Sequence, residues 1–251
     1  MGQGTRGIDP AWLGPRFDIF ESVCAPSVLS QTAPDIEWLV FFDADTPEAY
    51  RLRATHLAEE FGFLPVWLSG EFTSSVAARE VVALLRPGDQ RVITTRLDND
   101  DALHPRYAEI VQDELGARTN GYVTFPFGAQ LAAGEFFARL YPSNPFLSRV
   151  EAAQGEIGTV YAARHWLPRE HRPKRIWTRH PAWLQVVHGA NLANEVRGVW
   201  IRPSGPAQAF GVDAGDHEPA ALGRARRRVI SAVSLVGALS DRLAPRRRKT
   251  H

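Results

Sequence analysis

Three aspartates fall within four residues at Asp98, Asp100 and Asp101, with Asn99 between them, in the stretch T-T-R-L-D-N-D-D-A-L-H-P from Thr94 to Pro105. Carboxylates this close repel one another, and a cation relieves the repulsion. Hard oxygen ligands with no thiolate among them suit Mg2+ or Mn2+, ions that keep waters and take substrate phosphates as further ligands. The same residues would also serve as a solvated acidic turn ahead of a helix opened by His104-Pro105, since Asp is common in turns and at helix N-caps. Two more acids, Asp43 and Asp45 in F-F-D-A-D-T, and one histidine, His188 in V-V-H-G-A-N, stand where an apolar run gives way to a loop. Gly189 permits a close backbone approach beside His188; a packed or merely exposed imidazole is the alternative there.

Strands must deliver these groups. Arg91 to Thr95 is short and β-branched, follows the turn Pro87-Gly88-Asp89, and leads straight into the acidic cluster. Ile36 to Phe42 reads as a fully buried strand ending at Asp43. Pro47 opens a helix through about Gly62, Leu64 to Leu68 is a short strand, and Ser74 to Arg86 is a helix. Ahead of them, Trp12 to Gln31 has roughly helical apolar spacing interrupted by Pro26, giving two turns, a kink and a second short helix. Strands alternating with helices predict an α/β domain with a largely parallel sheet, in which ligands bind beyond the carboxyl ends of the strands. Both acidic clusters fall there. Past the cluster, His104 to Leu115 reads as a helix and Gly121 to Phe127 as a strand; irregular segments follow, and Trp183 to Val187 is the last clear strand.

The chain has 251 residues, 44% hydrophobic and 23% charged, which suits one large globular domain. Its single cysteine, Cys24, excludes a disulfide framework and a Cys-based zinc site. No apolar run approaches the roughly 18 residues of a membrane span, and the N-terminus lacks a signal-peptide core, so a cytoplasmic protein is expected. The net charge of +1 hides a split: from Asp216 onward nine Lys/Arg face three Asp/Glu (+6), leaving the first 215 residues with 20 basic and 25 acidic (−5). An acidic body argues against nucleic acid as the main partner.

Several blocks together carry a resemblance. P-S-V-L-S-Q-T at Pro26 to Thr32, E-W-L-V-F-F-D-A-D-T-P-E, the helix with Ala78-Arg79, and the strand leading to L-D-N-D-D are similar to the nucleotide-sugar half of family 2-like glycosyltransferases of the GT-A fold. The combination of T-T-R-L-D-N-D-D, N-P-F at Asn144 to Phe146 and W-L-Q-V-V-H-G-A-N at Trp183 to Asn191 more closely resembles the bacterial "putative rhamnosyltransferase" family, over about Trp12 to Gly198. The resemblance implies a GT-A-like α/β fold, a mostly parallel sheet flanked by helices, over residues 1–204. It implies transfer of a sugar, rhamnose in this family, from a nucleoside diphosphate donor to a glycan or lipid-linked acceptor, with Mn2+ or Mg2+ as cofactor.

By the same resemblance Asp98 and Asp100 match the D-x-D of such enzymes, Asp100 as direct metal ligand and Asp98 nearer the ribose. Asp43 matches a carboxylate that contacts the nucleoside, and His188 a late histidine that completes the metal site. Arg79 and Arg96 would grip phosphate or pair with the aspartates; Asp101 would bind metal or cap the next helix. A carboxylate is needed for the acceptor's proton, with Glu151 first, then Glu156 and His165. One departure is expected to matter: before Trp12 only Ile8 is a sizeable apolar residue, so the first strand of the GT-A fold is missing, absent from this chain or replaced.

Two rival readings follow from the same residues. L-V-F-F-D-A-D-T fits the haloacid dehalogenase phosphatase motif, with Asp43 as nucleophile and Asp45 as acid/base, although the only lysines, Lys174 and Lys249, come too late in the chain for that family. A degenerate GT-A fold kept for binding alone is the other. Residues 205–219, rich in Gly and Pro, read as a linker, and residues 220–251 as a basic amphipathic tail. Leu222, Val229, Val233, Val236 and Leu243 share one side there, with Arg224 and Arg226 to Arg228 crowding the first turns. Such a helix would lie reversibly on the anionic inner face of a membrane, or pack on its own domain.

Overall fold

The structure, a computed structural model, describes residues 8–162, 173–188 and 196–212. The expectations for the basic tail, for residues 213–219 of the 205–219 linker and for His165 lie outside those residues.

Helix α1 (Pro10–Ile19) starts where the Asp9 side chain accepts the Ala11 N–H at 2.9 Å and Pro10 takes a position that needs no donor. It continues without a break through a π-helical turn (Phe20–Cys24) into α2 (Ala25–Leu29). The expected kink at Pro26 is this π turn. The Ala25 N–H reaches back to the Phe20 carbonyl, which widens the helix just where Pro26 has no N–H to give. Leu13, Phe17, Phe20 and Cys24 are buried against β1 (Leu39–Asp43), α3 (Glu48–Phe61) and Phe63. No strand precedes β1 among the described residues; helix α1 stands there instead.

β1 is shorter than expected and only Val40 in it is buried; Phe41 meets Phe72 edge-on at 4.9 Å and Phe42 stacks on Trp67 at 5.0 Å. It pairs in parallel with β2 (Leu64–Leu68), reached through α3, which ends at left-handed Gly62. Helix α4 (Ser74–Leu84), capped by the Thr73 hydroxyl on the Val76 N–H, leads to β3 (Arg91–Thr95). Beyond the acidic cluster come β4 (Ala102–Leu103) and α5 (Tyr107–Leu115), so His104-Pro105 follows a two-residue strand and the helix starts later than expected.

The rest of the domain departs from a mostly parallel sheet. β5 (Asn120–Thr124), β8 (Leu147–Ala152) and β9 (Lys174–Arg175) join β3 in the order β3-β8-β5-β9. β6 (Phe127–Ala132), β7 (Glu135–Leu140), β10 (Trp183–Val187) and β11 (Val199–Ile201) join β4 in the order β11-β7-β6-β10-β4. Among the described strands three pairings are parallel and five antiparallel. For the pairing of β6 with β7 the cause is connection length. Ala133 and Gly134, at φ of 50° and 76°, make a two-residue hairpin turn between β6 and β7, and so short a link forces antiparallel pairing, whereas the helical crossover from β1 to β2 permits a parallel one.

Trp183 is fully buried where the two larger sheets share a core with α5. Its indole stacks on Phe146 at 4.7 Å and donates to the Phe125 carbonyl at 2.8 Å. A Cβ on Gly128 would lie 2.1 Å from that ring, so glycine is required at this register position. Asn144 of the N-P-F block is structural: its amide donates to the Phe125 and Tyr141 carbonyls and its oxygen accepts the Phe146 N–H. The first residues of the 205–219 segment belong to a packed helix: α6 (Ser204–Phe210) buries Phe210 among Val23, Ala102 and Leu184.

Candidate active site

The acidic run is pinned at both ends. At its start, Arg96 forks onto Asp98, with Nε and Nη2 at 3.1 and 3.0 Å from Oδ1, so of the two roles expected for Arg96 the structure gives the pairing with an aspartate. At its end, Asp101 accepts the Val186 N–H of β10 at 3.0 Å, and Ala102 pairs with Leu184. That attachment places the run beside the carboxyl end of β10, where His188 emerges. His188 Nε2 and Asp100 Oδ2 are 3.1 Å apart, and both side chains are largely buried.

Arg16 of α1 completes the group. Its Nη1 donates to Asn99 Oδ1 at 3.1 Å and lies 3.6 Å from Asp100 Oδ2, while its guanidinium rests on the Trp12 ring at 4.4 Å. Beneath the run, the buried Cys24 thiol donates to the Asp98 carbonyl at 3.8 Å. Burial first, then Asp101, Asp100 and Asp98, push that thiol well above its usual range, so it stays a neutral donor. The Asp101 carboxyl is likewise held well above the ordinary carboxylate range, by burial and then by Asp100 and Asp98. Sequence reasoning missed Arg16 and Cys24. Arg16 is 83 positions from Asn99, and nothing local marks a helix arginine as its partner.

A largely buried carboxylate beside an imidazole, Asp100 with His188, is a pair of groups that a divalent cation takes as ligands. Among the described residues no three His, Cys, Asp or Glu side chains converge as a closed cage. Asp100 and His188 would offer an ion two protein ligands, the number that suits one drawing the rest from water and substrate phosphate.

Other expected site residues make their contacts elsewhere. Asp43 is exposed and closes its own turn by accepting the Asp45 N–H at 2.9 Å; Asp45 is exposed as well. Arg79 is exposed and forks onto its neighbour Glu80 rather than onto the aspartates. Glu151 sits in β8 opposite Val92, three register positions short of Thr95 at the carboxyl end of β3. It is buried in an ion pair with Arg149 at 2.9 Å and accepts the Gly158 N–H at 2.9 Å, which is a structural setting. Glu156 is exposed in the following loop.

That loop reaches the acidic run by another route. Arg149 also donates to the carbonyl of Thr159, a β-branched residue at φ 58°, a conformation that surrounding contacts must impose. Past it, the Tyr161 ring lies 5.9 Å from the Arg96 guanidinium and meets Phe72 edge-on at 4.9 Å. Burial pushes the Tyr161 phenol up to about 12. Arg96, Asp98, Tyr161 and Phe72 thus form an aromatic and charged wall at one end of the run.

A family model described as "Putative rhamnosyl transferase" matches residues 6–199 of the chain. No curated protein matches it.

Proposed function

The chain belongs to the putative rhamnosyl transferase family and is a glycosyltransferase; from that premise we propose a divalent-cation-dependent enzyme of the GT-A kind, moving a sugar, rhamnose by family, from a nucleoside diphosphate to a glycan or lipid-linked acceptor. The observation that carries the reading is the meeting of Asp100 with His188, 88 positions apart in sequence, at 3.1 Å inside an acidic run. Asp100 and His188 would hold Mn2+ or Mg2+, which when bound neutralises the diphosphate leaving group.

The chain's own residues do the rest. Arg16 has its guanidinium at the same carboxylate and would take the diphosphate's oxygens bidentately. The Arg96–Asp98 fork, with Tyr161 and Phe72 beside it, offers a hydrogen-bonding and stacking wall for the ribose and base. In the transfer, an acceptor oxygen bonds to the anomeric carbon as the bond to the diphosphate oxygen breaks. The acceptor's proton passes to a carboxylate. Of the two glutamates expected there, Glu151 is committed to Arg149, so the proposal gives that proton to exposed Glu156.

Incubating the full chain with Mn2+, a mixed glycan acceptor pool and dTDP-, UDP- and GDP-linked sugars tests the reading. Release of nucleoside diphosphate from a rhamnosyl donor is expected; release of inorganic phosphate alone would return the phosphatase reading, and neither would return the binding module. His188→Ala should weaken nucleoside diphosphate binding about tenfold or more in the presence of Mn2+, the scale of a disturbed metal shell, with no change in its absence. Equal losses with and without the ion, read by calorimetry, would mean that the ring touches the nucleotide itself.

A further inference from the structure

Arg139 lies in the same domain but has no part in the donor site. In β7 it pairs with Gly128, and the strand alternation puts it on the same side as Gln130 of β6 and Gln185 of β10, the side on which Trp183 covers Gly128. Its Nη1 donates to Gln185 Oε1 at 2.6 Å, and its guanidinium lies 4.1 Å from the centre of the Tyr141 ring. The same Gln185 oxygen takes a second hydrogen bond, from Gln130 Nε2 at 2.9 Å, and Gln130 Oε1 accepts the Arg197 N–H at 2.6 Å. Both glutamines are buried, so the oxygen that holds Arg139 is itself fixed.

Among the described residues the guanidinium is held by neutral groups. It has five N–H donors, and among the described residues no carboxylate is in ion-pair contact with it. Burial, and then the nearby Arg197, press its pKa downward against the pull of Tyr141 and Asp101. A half-buried, forked cation held by neutral groups suits the bidentate capture of an oxyanion. Its place is also informative. Gln185 adjoins Val186, whose N–H binds Asp101, and His188 is three residues on from Gln185. Arg139 therefore stands at the Asp101 end of the run, whereas the Arg96–Asp98 wall stands at the other.

We propose that Arg139, oriented by Tyr141 and Gln185, is the receptor for an anionic group, a phosphate or a carboxylate, carried by the acceptor. The acceptor class is then an acidic glycan or a phosphate-bearing, lipid-linked one rather than a neutral sugar. This rests on the reading of the acidic run as the donor site. It predicts selection between acceptors by charge at a point the donor does not occupy.

The test uses the full chain saturated with nucleoside diphosphate and Mn2+, so that the donor's own anion site is filled. Inorganic phosphate and methyl glucuronate are titrated into the native protein, R139Q and R139K. One of the two probes should bind the native chain saturably, and which one binds tells phosphate from carboxylate. R139Q should weaken that binding about tenfold or more, the scale of a lost charge-assisted hydrogen bond, R139K should weaken it less, and nucleoside diphosphate affinity should stay within about twofold. Equal probe binding by R139Q and the native chain would overturn the proposal, as would a parallel loss of nucleoside diphosphate affinity in R139Q, which would assign the anion to the donor. A native chain that binds no nucleoside diphosphate would sink the donor-site reading instead, and the probe titration of the nucleotide-free protein would still decide Arg139 by the same comparison. The Arg139 Nε–Hε resonance of the unsubstituted chain should shift during the titration, a result independent of whether R139Q folds; a resonance unmoved by both probes would also overturn the proposal.

Discussion

Asp100→Asn should lower donor turnover on the order of a thousandfold, ~4 kcal/mol of transition-state stabilisation, the scale expected when a cation at the leaving group is lost. The substitution keeps the shape and removes one charge. In the metal-free protein its effect on stability should stay within about 1 kcal/mol. Asn keeps an oxygen toward His188 and Arg16, and the loss of one charge relieves the repulsion felt by Asp98 and Asp101. The two measurements therefore move apart: kcat/KM collapses while the chemical-denaturation midpoint in EDTA holds. Unchanged turnover would remove Asp100 from the site, and a stability loss as large as the activity loss would make it a structural residue.

Glu151→Ala should behave in the opposite way. Its carboxylate is the partner of Arg149, whose Nε is already buried without a hydrogen bond, and it also satisfies the Gly158 amide. Removing it leaves a buried guanidinium without its carboxylate and the Gly158 N–H without its acceptor, at a cost of about 3–5 kcal/mol. At about 2–4 °C per kcal/mol for a chain of this size, thermal unfolding should start roughly 10 °C lower. Below that temperature the folded fraction should turn over donor at nearly the native rate, whereas Glu156→Gln should slow transfer without lowering the unfolding temperature. A stable Glu151→Ala protein with no turnover would restore Glu151 as the acceptor of the proton.

The sequence made legible the parts of this molecule governed by local signals. Arg91 to Thr95, Leu64 to Leu68 and Trp183 to Val187 form the strands expected from β-branched, apolar runs between turn residues. The helix from Pro47 to Gly62 begins and ends on its Pro and Gly signals. His188 was placed beside Asp100 by family resemblance alone, since no spacing rule joins two residues 88 apart. What local pattern did not carry was pairing over long separations. The antiparallel pairing of β6 with β7 depends on a two-residue turn at Ala133-Gly134, a weak signal within L-A-A-G-E. Arg16 reached the acidic run only because a π turn and α2 dock that helix beneath it. Glu151 is legible in sequence as a carboxylate, but its register opposite Val92 and its pairing with Arg149 are set by strand pairing, which local pattern does not carry. Arg79 and Asp43 failed to join the cluster for a plainer reason: each has a closer partner, Glu80 and the Asp45 amide.

The measurement closest to the central claim is the anomalous scattering of Mn2+ in crystals grown with a nucleoside diphosphate. The account predicts one strong manganese peak in contact with an Asp100 oxygen and a His188 nitrogen, with the diphosphate on the same ion. Manganese bound elsewhere, or a diphosphate bound with Asp100 and His188 still joined directly to each other at 3.1 Å, would contradict it.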